Sequence, residues 1–440
     1  MTTAARPNAH LNDTDVSRDR VLSAKPGAPT LPRWKRFLFS GVLVVLVCGT
    51  LELASRWYLA AFEGFDGTHL LQYQFDPYKN NLPTPGYVDT RGIHHNRQGF
   101  RRRSDVPMRK PPGTYRIFLM GGSTAYGLGG LWPHLQRDFA VIPDSATISA
   151  VLERELADSF PGQHVEVINA AITSDWTHHH LIYLNQTILN YEPDMVLFLD
   201  GFNDFFFYNR DHDQFASYAY QERSREVMGD PTFASLLFTN GWWLFRKSAF
   251  VNVTSRAVQK VMPLFRHLDP HRTPVDVADA MSGLREVFPR SALLMDRRIG
   301  LILRDAGVRA VFMLQPMLIL ERDHKPMPAP ERKLFDFNVA SYLPNYEAFM
   351  QQAVPYVDSE EVKVARDVGA HFIDLTPIYA GVPEQIYTDY CHLTPLGNAL
   401  LARYVEGKIV PLIKADLRRT ARPGTAPRRQ TEPMVASVPR

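Results

Sequence analysis

From residue 116 onward, short runs of consecutive apolar residues alternate with longer stretches in which apolar positions recur every three to four residues. That alternation is the signature of buried parallel strands joined by helices. The runs at 116–120, 164–169, 195–200, 310–314 and 371–374 read as strands, and 148–158, 180–189, 291–305, 360–368 and 395–413 as helices. Five strands with crossover helices predict an α/β fold, a three-layer α/β/α sandwich on a mostly parallel, about five-stranded sheet. Sheets of this kind bind ligands at the carboxyl ends of their strands.

One apolar run differs from these. Phe37 to Leu51 reads FLFSGVLVVLVCGTL, and Leu53 and Ala54 extend it past Glu52 to roughly the 17 to 20 residues that a membrane-spanning helix needs. Trp34, Trp57 and Tyr58 flank it as interfacial aromatics do, while Arg33, Lys35 and Arg36 precede it and only Arg56 follows closely. By the positive-inside rule this predicts a cytoplasmic N-terminus and an extracytoplasmic remainder. The competing reading is a cleaved signal peptide, whose apolar core is usually shorter and nearer the N-terminus. A protein on the cytoplasmic face would need the opposite charge bias.

The resulting organisation is a polar, disordered cytoplasmic tail at 1–32, a transmembrane anchor at 33–58, and a Pro-, Gly- and Asn-rich linker or flanking segment at 59–115. An α/β domain follows at 116–413, and a disordered basic tail at 414–440. Within the domain, 205–290 is far longer than a normal strand-to-helix loop and reads as an aromatic insertion, with FFFY at 205–208, Trp242, Trp243 and Phe245. A lid, a substrate-binding wall and a membrane-facing surface all fit that composition.

Charge removes one class of partner. Residues 1–36 and 414–440 each carry seven Lys and Arg, against three and two acids, while the whole chain has a net charge of only +3. The domain between them is therefore acidic, which argues against a nucleic-acid partner. Two cysteines, Cys48 and Cys391, do not make a disulfide framework.

Three short segments carry candidate chemistry at the same edge of the expected sheet. The first strand runs into Gly121-Gly122-Ser123-Thr124, where glycines permit a sharp turn that exposes a serine hydroxyl. The third ends in Asp200-Gly201-Phe202-Asn203-Asp204, where a side-chain amide can meet a developing oxyanion. Near the C-terminus, Asp389 stands three residues before His392, a spacing that lets a carboxylate hold Nδ1–H and leave Nε2 free as a base. Each has a bland alternative: an ordinary Gly-Ser turn, an Asx turn, and a helix cap before Pro395 beside an incidental histidine. Their co-occurrence favours the chemical reading. His178 to His180 read as a solvated helix start with no metal role, Cys391 as a small packed residue, and Gln315-Pro316 as a turn.

Together these residues resemble the SGNH, or GDSL-like, hydrolases, in particular membrane-anchored bacterial members. GGST resembles a membrane-associated variant of the family's first block, which implies Ser123 as nucleophile. Gly201, Asn203 and Asp204 match the third block, which implies Asn203 as an oxyanion donor, and Asp389 and His392 match the fifth, followed by a similar Leu-Thr-Pro-Leu-Gly-Asn. Asn96 to Arg101 (NRQGFR) looks like an early motif of anchored members. In the second block, Ala171 of Val-Ile-Asn-Ala-Ala stands where the family has a glycine whose N–H joins the oxyanion hole. The backbone donor survives that change, but a required positive φ would carry strain.

The resemblance implies a flavodoxin-like SGNH fold and a serine esterase. The triad is Ser123, Asp389 and His392, and the oxyanion hole consists of Ser123, Ala171 and Asn203. No cofactor and no metal enter. The expected substrates are O-acyl esters of cell-envelope glycans or lipids, and the membrane is engaged through the N-terminal helix. The same residues serve an O-acetyltransferase, and a non-catalytic glycan- or lipid-binding module is the alternative from another class.

Overall fold

The structure is a computed structural model describing residues 32–63, 72–130 (without 77, 90 and 91), 141–204, 248–251, 253–254, 257, 276–337 and 345–420. Tail residues 1–31 and 421–440, and most of the aromatic insertion, including 205–208, Trp242, Trp243 and Phe245, lie outside the described residues.

Helix α1, Arg33–Glu63, is apolar and long enough to cross a membrane. At about 1.5 Å per residue its 31 residues reach beyond the ~30 Å of a hydrocarbon core. Its one acidic residue before the terminal Glu63 is Glu52, whose carboxylate accepts from Ser248 Oγ (2.6 Å), Ala249 N (2.9 Å) and Phe250 N (3.1 Å) and pairs with Arg56. A carboxylate in an apolar helix is tolerated where such donors satisfy it.

Two antiparallel hairpins precede the sheet: β1 (Tyr73–Asp76) with β2 (Asn80–Pro83), and β3 (Val88–Asp89) with β4 (Ile93–His94). The sheet itself has five strands, β5 (Thr114–Gly121), β6 (His164–Asn169), β7 (Met195–Asp200), β8 (Arg309–Leu314) and β9 (His371–Asp374). Every pairing in it is parallel, in the order β6-β5-β7-β8-β9. All eight residues of β5 are buried, as a parallel strand covered on both faces requires. Ile117 and Leu119 face one core with α3 (Ile148–Ser159), and Phe118 and Met120 face the other with α4 (Thr177–Gln186). The expected three-layer α/β/α sandwich is therefore observed.

After the insertion come α5 (Val277–Val287), which ends it inside the 205–290 range, and α6 (Ala292–Asp305). They are followed by α7 (Ala329–Phe337), α8 (Tyr346–Val368) and α9 (Pro395–Thr420). Two helices outrun the sequence reading. Pro355 lies inside α8, where it masks the periodicity of the first half, yet Tyr346, Phe349, Met350 and Ala353 there are buried. Helix α9 continues past 413 because Asp416 pairs with Arg309 (2.5 Å) and accepts from Tyr115 Oη (2.8 Å), so the basic-tail reading of 414–420 does not hold.

The chain runs from β5 outward to β6 and then returns to the other side of β5 as β7. The crevice between the carboxyl ends of β5 and β7 is thus the topological switch point, where such sheets leave room for a ligand.

Candidate active site

Ser123 follows β5 at that switch point, as the first residue of a single helical turn, α2 (Ser123–Tyr126). The two glycines before it are required by space. A Cβ on Gly121, at φ +150°, would stand 2.5 Å from Leu199 O and 2.7 Å from Ala125 Cβ. One on Gly122 would lie 2.5 Å from Asn203 Nδ2, so the bare Cα at 122 lets the amide approach the serine turn. Gly127, at φ +86°, closes the turn by donating its N–H to Ser123 O (3.1 Å).

Arg101 holds this turn from outside the sheet. Fully buried, it donates to Tyr126 O (2.7 Å) and Gly127 O (2.8 Å), to Ile142 O, and to Asp144 (3.1 Å). Asn96 shapes the loop that delivers it, its Oδ1 accepting from Gln98 N (3.0 Å) and Phe100 N (2.9 Å). The NRQGFR segment therefore acts as a clamp on the serine turn.

Asp389 and His392 occupy a tight hairpin in which Thr388 N donates to His392 O (2.9 Å) and Thr394 N to Ile386 O (2.7 Å). Asp389 Oδ2 accepts from His392 Nδ1 (2.7 Å), and Oδ1 from the backbone N–H groups of Cys391 (3.0 Å) and His392 (2.9 Å). Both side chains are buried. Burial disfavours the charged ring, but the adjacent Asp389 carboxylate outweighs it and pushes His392 well above the usual histidine range. Burial likewise opposes the carboxylate, yet the imidazole and the two N–H groups hold Asp389 below its usual range.

His392 Nε2 is buried and has no hydrogen-bond partner among the described residues, and Ser123 Oγ makes no hydrogen bond to His392. The two loops are joined instead through Thr124 Oγ1, which donates to Cys391 O (3.2 Å). Catalytic hydrogen bonds in unliganded sites are often open in this way.

Beside the serine turn, Asn203 Nδ2 donates one hydrogen to Asp175 O (2.7 Å), leaving its second available. Ala171 N donates to Asn169 Oδ1 (3.2 Å), and Asn169 Nδ2 reaches back to Ala125 O (3.2 Å). Ala171 does not have a positive φ, so the alanine at this place carries no backbone strain.

The reading of His178 to His180 as a solvated helix start is overturned. His179 and His180 are buried: His180 Nε2 meets Asp200 Oδ1 at 2.8 Å, while the His179 ring lies 3.5 Å from the Asp175 carboxylate one helical turn earlier without a hydrogen bond to it, and burial holds it well below the usual histidine range. Asp175 is also ion-paired with the buried Lys79. Asp204 completes the anchoring of this block by accepting from Thr177 N (3.2 Å) and Oγ1 (2.6 Å). The i, i+4 spacing of Asp175 and His179 was the available sequence signal; Lys79 had none, being paired across nearly a hundred residues.

Cys391 is buried, with Sγ 4.0 Å from His392 Nδ1, and burial raises its thiol. Among the described residues, donor atoms of Asp389, Cys391 and His392 lie within 4.8 Å of one another, near enough to share a cation. Those atoms are already engaged in the Asp389–His392 hydrogen bond.

No family model and no curated protein matches the chain. Among solved structures, it is similar to a lipase/acylhydrolase from Enterococcus faecalis, at 16% identity over 68% of this chain and 96% of that one, with a TM-score of 0.34. It is also similar to an acetylxylan esterase from Geobacillus stearothermophilus, at 13% identity over 67% and 94%, with a TM-score of 0.33. A third is an alpha/beta hydrolase enzyme from the metagenome of Lake Arreo, Spain, at 13% identity over 67% and 96%, with a TM-score of 0.32.

Proposed function

We propose that this chain is a serine esterase of the SGNH type, held to the membrane by α1 with its N-terminus in the cytoplasm and its α/β domain outside. Its substrates are O-acyl esters of cell-envelope glycans or lipids. The observation that carries the reading is the convergence, around one switch point, of Ser123, the Asp389–His392 pair with Nε2 unengaged, and the Asn203 amide.

Ser123 Oγ attacks the ester carbonyl carbon while His392 Nε2 takes its proton, and Asp389 keeps the imidazole oriented and stabilises the imidazolium. The oxyanion is met by the Ser123 and Ala171 N–H groups and by the second hydrogen of the Asn203 amide. For Ala171 this means sharing or exchanging its present contact with Asn169 Oδ1. His392 then protonates the leaving alcohol, and water resolves the acyl-enzyme. An acceptor hydroxyl in place of water makes the same site an O-acetyltransferase.

The test is turnover of p-nitrophenyl acetate and butyrate by the full chain in detergent, with Ser123→Ala beside it. Turnover abolished by the substitution is expected; acetyl transfer to an added glycan that outpaces release to water would turn the assignment to a transferase. Absence of Ser123-dependent turnover would leave the reading of a non-catalytic binding module, which the missing Ser123–His392 hydrogen bond and the engaged Ala171 N–H favour.

A further inference from the structure

Lys79 lies in the turn between β1 and β2, in the segment before the sheet, and its side chain is wholly buried. Removing an ammonium from water costs several kcal/mol unless a counter-charge and hydrogen bonds offset it. Here the counter-charge is Asp175, itself 1% exposed, in the loop that leads from β6 to α4. Tyr183 adds a ring face 5.4 Å from Nζ.

Asp175 is bound at both of its ends. Its carboxylate meets Lys79, and its backbone carbonyl accepts the Asn203 amide at 2.7 Å. The same carbonyl would stand 3.1 Å from a Cβ at Gly122, so it borders the serine turn directly. A second route reaches the same amide: Asp175 Oδ2 lies 4.0 Å from His180 Nδ1, and His180 Nε2 bonds Asp200, the last residue of β7, three positions before Asn203. Lys79, Asp175, His180 and Asp200 alternate between basic and acidic side chains, so that each faces one of the other kind.

We infer that Lys79 is a positioning residue, whose ion pair with Asp175 fixes the Asp175 carbonyl and thereby aims the Asn203 amide at the reacting carbonyl. The hairpin before the sheet is then part of the site through its hold on Asp175. The catalytic consequence rests on the esterase reading above; the placement of the amide does not.

The test uses the full-length chain in detergent micelles, labelled with [15N]asparagine, the Asn203 side-chain signal being assigned by its loss in Asn203→Ala. Lys79→Met takes the ammonium away from Asp175 and leaves its carboxylate facing only the imidazoles of His179 and His180. Lys79→Met combined with Asp175→Asn removes both charges, retains the carbonyl, and is the variant to read if the single one does not fold. In the folded variant the Asn203 amide is expected to shift and to exchange with solvent at least about tenfold faster. For p-nitrophenyl acetate, kcat is expected to fall by about 10²-fold, the scale of losing one oxyanion donor, with KM little changed. Adding Asn203→Ala should cause no further loss. An unchanged amide signal in the folded variant overturns the inference, as does full kcat despite a released amide. A released amide in a protein whose wild type shows no Ser123-dependent turnover upholds the positioning and instead defeats the esterase reading.

Discussion

His392 Nδ1 meets Asp389 Oδ2 across a buried 2.7 Å contact, and the direction of their shifts fixes how the site responds to pH. Because the carboxylate outweighs burial and raises the histidine, the neutral base appears only above the ordinary value of 6.5. Under the proposed mechanism kcat/KM therefore rises with pH through a limb above 6.5. Asp389→Asn brings that limb down and lowers the rate by about 10³- to 10⁴-fold. A pH–rate profile of p-nitrophenyl acetate hydrolysis checks both; a limb that ignores the Asp389 substitution would remove Asp389 from the mechanism. Stability follows the opposite course. The raised histidine contributes stability that is fully present below 6.5 and is lost as pH rises through its folded value.

Helix α7 is the element that holds the loop carrying Asp389 and His392. Glu331, in its first turn, is buried and ion-paired with the buried Lys325, and its Oε1 accepts from Ile386 N (3.0 Å) and Tyr387 N (2.8 Å). Lys325 Nζ also donates to Glu384 O (2.7 Å). One buried pair thus pins three backbone groups just ahead of Asp389. Glu331→Gln retains an acceptor for the two amides but strands the lysine charge, so it is expected to destabilise the protein by about 3–5 kcal/mol. Combining it with Lys325→Met should restore much of that stability. Denaturant titrations of the two variants and the wild type decide this, and equal losses in the single and double variants would show that the charge is not the cause. The sequence around 325–331 carries no pattern that reveals the pair, because its value lies in what folding brings against it.

At the scale of the whole molecule, four acids converge beside β7 and β8, on the side of β7 away from β5. Asp200, Asp204, Asp296 and Glu361, from β7, the turn after it, α6 and α8, line a cavity of about 20 Å³, room for roughly one water. Asp296 and Glu361 are neighbours there, and the facing basic group is His180, bonded to Asp200, where burial would lower it and that carboxylate raises it. Burial, together with the charges of Asp204 and Asp200, lifts Glu361 to about 8 although its contact with Asp296 lowers it. A raised acid contributes stability that is complete below its unfolded value of 4.5 and is lost as pH climbs through about 8. Glu361→Gln removes that dependence, so the variant's Tm should change less than the wild type's between pH 5 and pH 8.5. Parallel pH dependence in the two proteins would place the ionisation elsewhere.

Local patterns were enough to read the five strands and their parallel pairing, since a strand covered on both faces must be apolar throughout, and β5 is. They were also enough to bring Ser123, Asn203, Asp389 and His392 to one edge, because each follows a strand's carboxyl end or sits in a short loop of fixed spacing. Tertiary structure alone decided what supports them. Lys79, Arg101, Asp175, Lys325 and Glu331 are charged residues that a sequence reading assigns to solvent, and each is buried because folding brings a counter-charge against it: Asp175 to Lys79 and Asp144 to Arg101 from far along the chain, and Glu331 to Lys325 from the next helix. Periodicity reports which faces are dry. It is silent on which charges are paired there, since pairing depends on distances that exist only after the sheet has assembled.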